Sequence, residues 1–312
     1  MPNTRISRHT LRGLVARYDL GDLVNAKPLT AGSVQTNLLV TTTQTRVVLR
    51  LYENRSAESV RFELAVVDRL VSNDYPYPAP LRDRSGTILQ EHAGKPLVLF
   101  TFLEGRHVEA PNRLQRHELF RWLAELHRIT HRFSPSKVAH RWNYGPDFCL
   151  LQAIGRTRHI GTRDALDKLR WYRRALKDLV LPASLRKGIC HTDLHYTNIL
   201  YRGIKLSALL DFDDANYTYQ VFDIVGLVDG WAWRFEEPFD LKQARKIVSA
   251  YQEHRRLTAV ERRYLFDVYK LSILIDCLWF YERGSGDHFY EQDKIEWLDS
   301  LGRDAYREAV VE

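Results

Sequence analysis

Cysteine is scarce in this chain of 312 residues: Cys149, Cys190 and Cys277 stand far apart, with no CxxC pair. That spacing implies neither a disulfide framework nor a structural zinc site, and a reducing cytoplasm is the expected compartment. Glycine (16) and proline (11) are also few and no fixed-period repeat is visible, which excludes collagen-like, solenoid and low-complexity architectures. Long apolar runs are missing. The strongest are 97–103, far too short to span a bilayer, and 271–281, which carries Asp276, so no membrane partner is expected. The first residues lack the apolar stretch of a secretory signal. Arg5, Arg8, Arg12 and Arg17 without an acid are compatible with a transit peptide, but Leu11, Leu14 and Val15 at helical spacing favour an opening amphipathic helix.

The remaining composition, 45% hydrophobic and 27% charged, is that of a globular chain with a sizeable core in one large domain or two smaller ones. A net charge of +7 suits an anionic ligand such as a nucleotide. The arginines run from Arg5 to Arg307 without clustering, so nucleic acid is not an expected partner.

Along the chain the architecture changes. Asn37–Thr42 and Arg46–Tyr52, rich in Val, Leu and Thr around a Thr43-Gln44-Thr45 turn, predict a hairpin. Ser56 is a plausible N-cap for a helix carrying Val60, Leu64, Val67 and Val71, which Asn73-Asp74 and three prolines end. Short apolar runs at 87–90 and 97–103 complete a small antiparallel sheet. Beyond Glu104-Gly105, helical spacing dominates around 119–129, 164–180, 240–256 and 258–283, and Asp223 opens a further apolar helix with an N-terminal capping role. The exception is 188–214, where short apolar runs alternate with polar clusters.

That exception carries the chemistry. His191-Thr192-Asp193-Leu194-His195-Tyr196-Thr197-Asn198 is followed, after a short hairpin, by Asp211-Phe212-Asp213. A hard divalent cation takes oxygen ligands from one or two carboxylates or amides and the rest from phosphates and water, which Asn198 and Asp211 could supply. Asp193 would then be left to accept a proton from a substrate hydroxyl, the division of labour found in phosphoryl transfer. His191 and His195 lack a second ligand cluster for zinc, so His191 is read as a residue that positions the loop by hydrogen bonding. Asp213 and Asp214 suit either a metal or substrate-ammonium role or turn capping.

The HxDxxxxN loop followed by DFD resembles the kinase-like phosphotransferases typified by aminoglycoside phosphotransferases, choline kinases and type II homoserine kinases. It looks closest to the last, through Tyr18-Asp19-Leu20, Leu51 to Arg55, Phe102 to Gly105 and Asp223 to Leu227 with Gly230-Trp231. The resemblance implies a bilobal α+β protein-kinase-like fold, with an N-lobe at residues 1–103, mainly antiparallel β with one helix, and a mainly helical C-lobe at 104–312. It implies ATP and Mg²⁺ as cofactors and a small-molecule alcohol as substrate, with homoserine or a related amino alcohol or hydroxylated amino acid the leading acceptor. It also implies roles in nucleotide binding. Arg50 stands where the family usually keeps a phosphate-binding lysine, and its always-charged, bidentate guanidinium retains that function. Glu63 would be its partner in preference to Glu58. Gly32 and Ser33 belong to the loop expected over the phosphates. Thr101 and Leu103 sit on the strand expected to hold adenine through its backbone. Aromatic residues after the metal acid are usual in homoserine kinases, whereas this chain has Asp213-Asp214, which keeps aminoglycosides open as acceptors. A Ser/Thr protein kinase fits less well, since no A-P-E segment follows Asp211. A non-catalytic nucleotide-binding protein would not need the full catalytic set. No oligomerisation signature is visible.

Overall fold

The computed structural model describes residues 4–29, 34–135, 143–233, 238–283 and 289–312. Its backbone is mixed α+β and separates into two compact units. One comprises 1–119, 135–141 and 195–213, the other 120–134, 142–194 and 214–312.

The first unit is built on a five-stranded sheet, ordered β1-β2-β3-β5-β4 and antiparallel throughout. Its strands are β1 (Leu23–Pro28), β2 (Thr36–Thr42), β3 (Arg46–Leu51), β4 (Gln90–His92) and β5 (Lys95–Thr101). The expected hairpin is β2 and β3, paired from Thr36↔Leu51 to Thr41↔Arg46. Helix α1 (Arg8–Val15) presents Leu11, Leu14 and Val15 to a core containing Val40, Val47, Leu49 and Leu99, as its spacing predicts. Helix α2 (Ala57–Val71) begins at the predicted cap: the Ser56 hydroxyl accepts from the Ser59 amide at 3.2 Å. Glu53 locks this unit at one edge, accepting from Thr4, Thr36 and the Lys95 ammonium (2.5 Å). Burial opposes its ionisation, but these donors hold its carboxyl down at about 2. A second hairpin, β7 (Ile199–Arg202) with β8 (Lys205–Leu209), completes the unit.

Helix α3 (Arg113–Thr130) continues into the second unit, which is mainly helical: α4 (Pro146–Ile160), α5 (Arg163–Leu176), α6 (Phe222–Ala232), α7 (Leu241–Gln252), α8 (Ala259–Trp279), α9 (Gln292–Leu301) and α10 (Arg303–Val310). Helix α8 is buried along almost its whole length and starts with a reciprocal capping box between Thr258 and Glu261. Two short strands, β6 (Lys187–Cys190) and β9 (Asn216–Tyr219), pair antiparallel among these helices. Gly188 is required there. A Cβ at this position would lie 2.7 Å from the Gln220 amide nitrogen and 3.0 Å from the Thr130 carbonyl oxygen, so only glycine lets β6 approach α3 this closely. Among the described residues no helix is long and apolar enough to cross a membrane.

Candidate active site

The β7–β8 hairpin explains the thirteen-residue spacing in the motif. Asn198 immediately precedes β7, Asp211 follows shortly after β8, and the Leu210 amide donates to the Asn198 carbonyl at 2.7 Å. An amide and a carboxylate separated in sequence are thereby brought to the same open end of one hairpin. Asp211 sits there at φ +66°, a left-handed conformation that costs a non-glycine residue energy and that recurs at functional sites.

Around Asp211 the first unit assembles an ion cluster. The Arg50 guanidinium on β3 lies 2.6 Å from one Asp211 oxygen and 3.1 Å from Asp213. Asp213 also accepts from the Gln35 amide at 2.8 Å and lies 3.7 Å from Arg55. Burial pushes the Asp211 carboxyl up to about 6 against the pull of Arg50, with the neighbouring Asp213 charge adding to the rise. Burial acts on Asp213 in the same sense, but Arg50 and Arg55 overcome it and hold that carboxyl well below the usual range. Glu63, wholly buried on α2, acts on Arg50 through its charge, while the ion pairs of Arg50 are made with Asp211 and Asp213. After burial, the Glu63 charge is also the next cause that raises the hydroxyls of Tyr52 and Tyr77. The Arg50 Nε is a buried donor that makes no hydrogen bond among the described residues.

Thr101 ends β5 with its amide donating to the Ala79 carbonyl. Leu103, two residues on and half-buried, has neither amide nor carbonyl bonded among the described residues. Gly32 and Ser33 lie outside the described residues.

In the second unit the loop after β6 is held by a residue the sequence reading took for a helix cap. Both carboxylate oxygens of Asp223, in the first turn of α6, accept loop amides: His191 at 2.9 Å and Thr192 at 2.8 Å. His127 of α3 lies with Nε2 3.0 Å from the same carboxylate and Nδ1 2.6 Å from the Tyr251 hydroxyl. Thr192 is locked at φ +66°, and its hydroxyl donates to the Asp214 carbonyl. His191 is fully buried, and its Nδ1 accepts the Asp193 amide at 3.2 Å. Asp193 itself is exposed. The strain at Thr192 and the buried clamp below it fix where that carboxylate is presented.

A group that the motif reading missed borders Asp193. Asp229 of α6 accepts from the Tyr269 hydroxyl (2.8 Å) and from Lys294 of α9 (2.9 Å), and Lys294 is 3.0 Å from Glu291. Asp276, near the end of α8, feels the charges of Asp229, Lys294, Glu291 and Asp193, and its carboxylate accepts no hydrogen bond among the described residues. Its side chain reaches solvent, yet burial pushes its carboxyl up to about 7. A carboxylate that is both wetted and surrounded lies in a recess. Trp233, Phe239 and Trp297 pack together beside it, with ring centroids 4.8–5.3 Å apart. The one sequence signal for this recess was Asp276 itself, a charge interrupting an apolar helix.

The sequence matches the phosphotransferase enzyme family over residues 25–263. A homoserine kinase of Nitrobacter winogradskyi is 30% identical over 268 residues, covering 83% of this chain and 79% of that protein. One from Sinorhizobium fredii is 27% identical over 296 residues, 95% of this chain and 86% of its own. Among solved structures, an amicoumacin kinase complex superposes with a TM-score of 0.67 at 15% identity, covering 97% of this chain and 94% of that one. A microcompartment-associated aminopropanol kinase gives 0.62 at 17%, over 97% and 95%. At such identities these two show the fold.

Proposed function

Because this chain belongs to the phosphotransferase enzyme family and is an ATP-dependent kinase acting on a hydroxyl group, we propose that its acceptor is an amine-bearing small alcohol, homoserine or a close relative. The observation that carries this reading is the recess beside Asp193, in which Asp229, Asp276 and Glu291 face a single lysine, Lys294. Carboxylates that outnumber their cations in a partly desolvated site favour a cationic ligand. The homoserine kinase relatives support the same class.

Kinases of this family use ATP with Mg²⁺. The residues present suit the ion: an amide and a carboxylate, Asn198 and Asp211, meet at one hairpin end, which is the hard-oxygen donor set Mg²⁺ accepts. When bound, the ion would neutralise charge on the phosphate oxygens. In the proposed reaction Asp193 takes the proton of the acceptor hydroxyl as its oxygen bonds to the γ-phosphorus and the bond to the ADP oxygen breaks. Arg50 binds phosphate oxygens through its guanidinium fork in exchange for a carboxylate, and the Glu63 charge helps keep the guanidinium in place. The unbonded backbone of Leu103 suits adenine recognition beyond the end of β5. His191 and Asp223 hold the loop so that no rearrangement is needed at the moment of transfer.

The test is ADP release with Mg·ATP against homoserine, threonine, hydroxylysine, ethanolamine, choline and several aminoglycosides, with Asp193→Ala as blank. Saturable, Asp193-dependent turnover of an amine-bearing alcohol is expected. Three carboxylates in the recess also favour a polyamine acceptor, and the aminoglycosides in the panel read that second possibility. Turnover confined to a protein substrate, or background hydrolysis with every alcohol, would sink the acceptor assignment.

A further inference from the structure

A second recess lies in the helical unit, apart from the acidic one, with a cavity volume of about 360 Å³. It is lined by Arg121, Arg128, Arg186, Arg255, His131 and His254, with Glu125 as the one carboxylate on its wall. The size falls within the range of about 300–1,000 Å³ usual for small-molecule sites. Not all of its cations are spent on the protein. Glu125 occupies Arg128, and Arg255 donates to Gln220 at 3.0 Å and to Glu261 at 2.5 Å. The Arg255 guanidinium is thus largely enclosed, and its charge lies behind the wall of the recess. No carboxylate pairs with the exposed Arg186 guanidinium among the described residues. His131 reports the local field: after desolvation, the charges of Arg132, Arg186 and Arg255 hold its imidazole below its ordinary value.

We infer that this recess binds a phosphomonoester or inorganic phosphate, gripped by Arg186 and by the exposed Arg128, which exchanges Glu125 for the anion, with the Arg255 charge behind them. Guanidinium forks match the oxygens of a phosphate, and a doubly charged anion outcompetes a single surface carboxylate for them. His127 belongs to the wall of the recess, and its buried ring contacts Tyr251 and Asp223, the carboxylate that holds the His191 and Thr192 amides. An anion bound here therefore sits one side chain away from the clamp on the catalytic loop. The inference stands on this cavity and does not depend on the acceptor proposed above.

The test is calorimetric titration of the full chain, already saturated with Mg²⁺ and a non-hydrolysable ATP analogue so that the phosphate-binding residues of the active site are filled. Inorganic phosphate and glycerol 3-phosphate are the probes, with acetate as a singly charged control. A saturable heat is expected for one or both phosphates, weakened at least tenfold in Arg186→Gln and in Arg128→Gln, with acetate silent. Tighter binding of glycerol 3-phosphate would identify an ester ligand, and tighter inorganic phosphate the free ion. No saturable heat with either phosphate, or equal heats in the parent and both variants, would overturn the inference.

Discussion

The ion cluster around Arg50 and the recess around Asp276 are both rich in carboxylates, but they are balanced differently. At Arg50 each acid has a counter-charge within the first unit: Asp211 and Asp213 share one guanidinium, and Gln35 and Arg55 complete the shell. In the Asp276 recess a single lysine answers to two carboxylates, and the Asp276 carboxylate accepts no hydrogen bond among the described residues. A site whose charges are already paired can exchange one partner for a phosphate or a metal. A site with surplus negative charge is short of a cation, and an incoming ammonium supplies it. Electrostatics alone thus distinguishes a region of paired charges from one with surplus negative charge, in keeping with the nucleotide and acceptor roles proposed for them.

Four experiments break or sharpen that contrast. The largest effect is expected from Asp193→Ala, which should lower kcat by about 10²–10⁴-fold while the nucleotide Kd from calorimetry stays within about twofold, since a base acts mainly in the transition state. Unchanged turnover would remove Asp193 from its role. Arg50→Met comes next. It strands the buried Asp213 and the partly exposed Asp211, and because removing one member of a buried pair costs about 3–5 kcal/mol while solvent screens an exposed one, the thermal midpoint should fall and the nucleotide Kd should rise at least about tenfold. A variant that binds ATP like the parent would show that the cluster is structural only.

Asp276→Asn probes the recess through pH. Burial and the neighbouring acids push the folded carboxyl up to about 7, against a usual value near 4. The folded state therefore holds a proton that the unfolded chain has released, and stability contributed by this group falls as pH rises from about 4 through 7. An ammonium substrate prefers the ionised form, so KM for the acceptor should fall as pH rises through about 7. In Asp276→Asn the acceptor KM should be about tenfold higher, roughly one charged contact, and should lose that pH dependence, with KM for ATP unchanged. A pH profile identical to the parent would place the cation elsewhere. The smallest effect is expected from Lys294→Gln, a few-fold change in acceptor KM whose sign is informative. An acceptor bearing a carboxylate should bind more weakly without the lysine, whereas a carboxylate-free amino alcohol should bind more tightly. Equal shifts for both would mean that Lys294 serves only to hold Asp229 and Glu291.

Much of the fold was legible where the signal is local. Ser56 caps α2 as its spacing predicts, the Thr43-Gln44-Thr45 turn closes β2 and β3, and Leu11, Leu14 and Val15 face the core. Helices α4, α9 and α10 and strands β1 and β9 escaped the reading. Helix α4 has little amphipathic contrast and buries only Cys149, Ala153 and Thr157, so its periodicity is faint. Strand β1 lies at the edge of its sheet with four of six residues exposed, and so lacks the apolar alternation that marks a half-buried strand.

The sequence by itself determined the chemistry on offer: an HxDxxxxN loop, a following DFD, and an arginine on the third strand, each readable because one short segment contains it. Only the tertiary structure decided how those groups are held and charged. His127 and Asp223, 96 residues apart, form the clamp under the loop, and Gln35 reaches Asp213 across 178 positions. Asp229, Asp276, Glu291 and Lys294 come from α6, α8 and the start of α9, and become a recess only when those helices pack. Electrostatic coupling depends on distance through a desolvated interior, and that distance is set by packing rather than by separation along the chain.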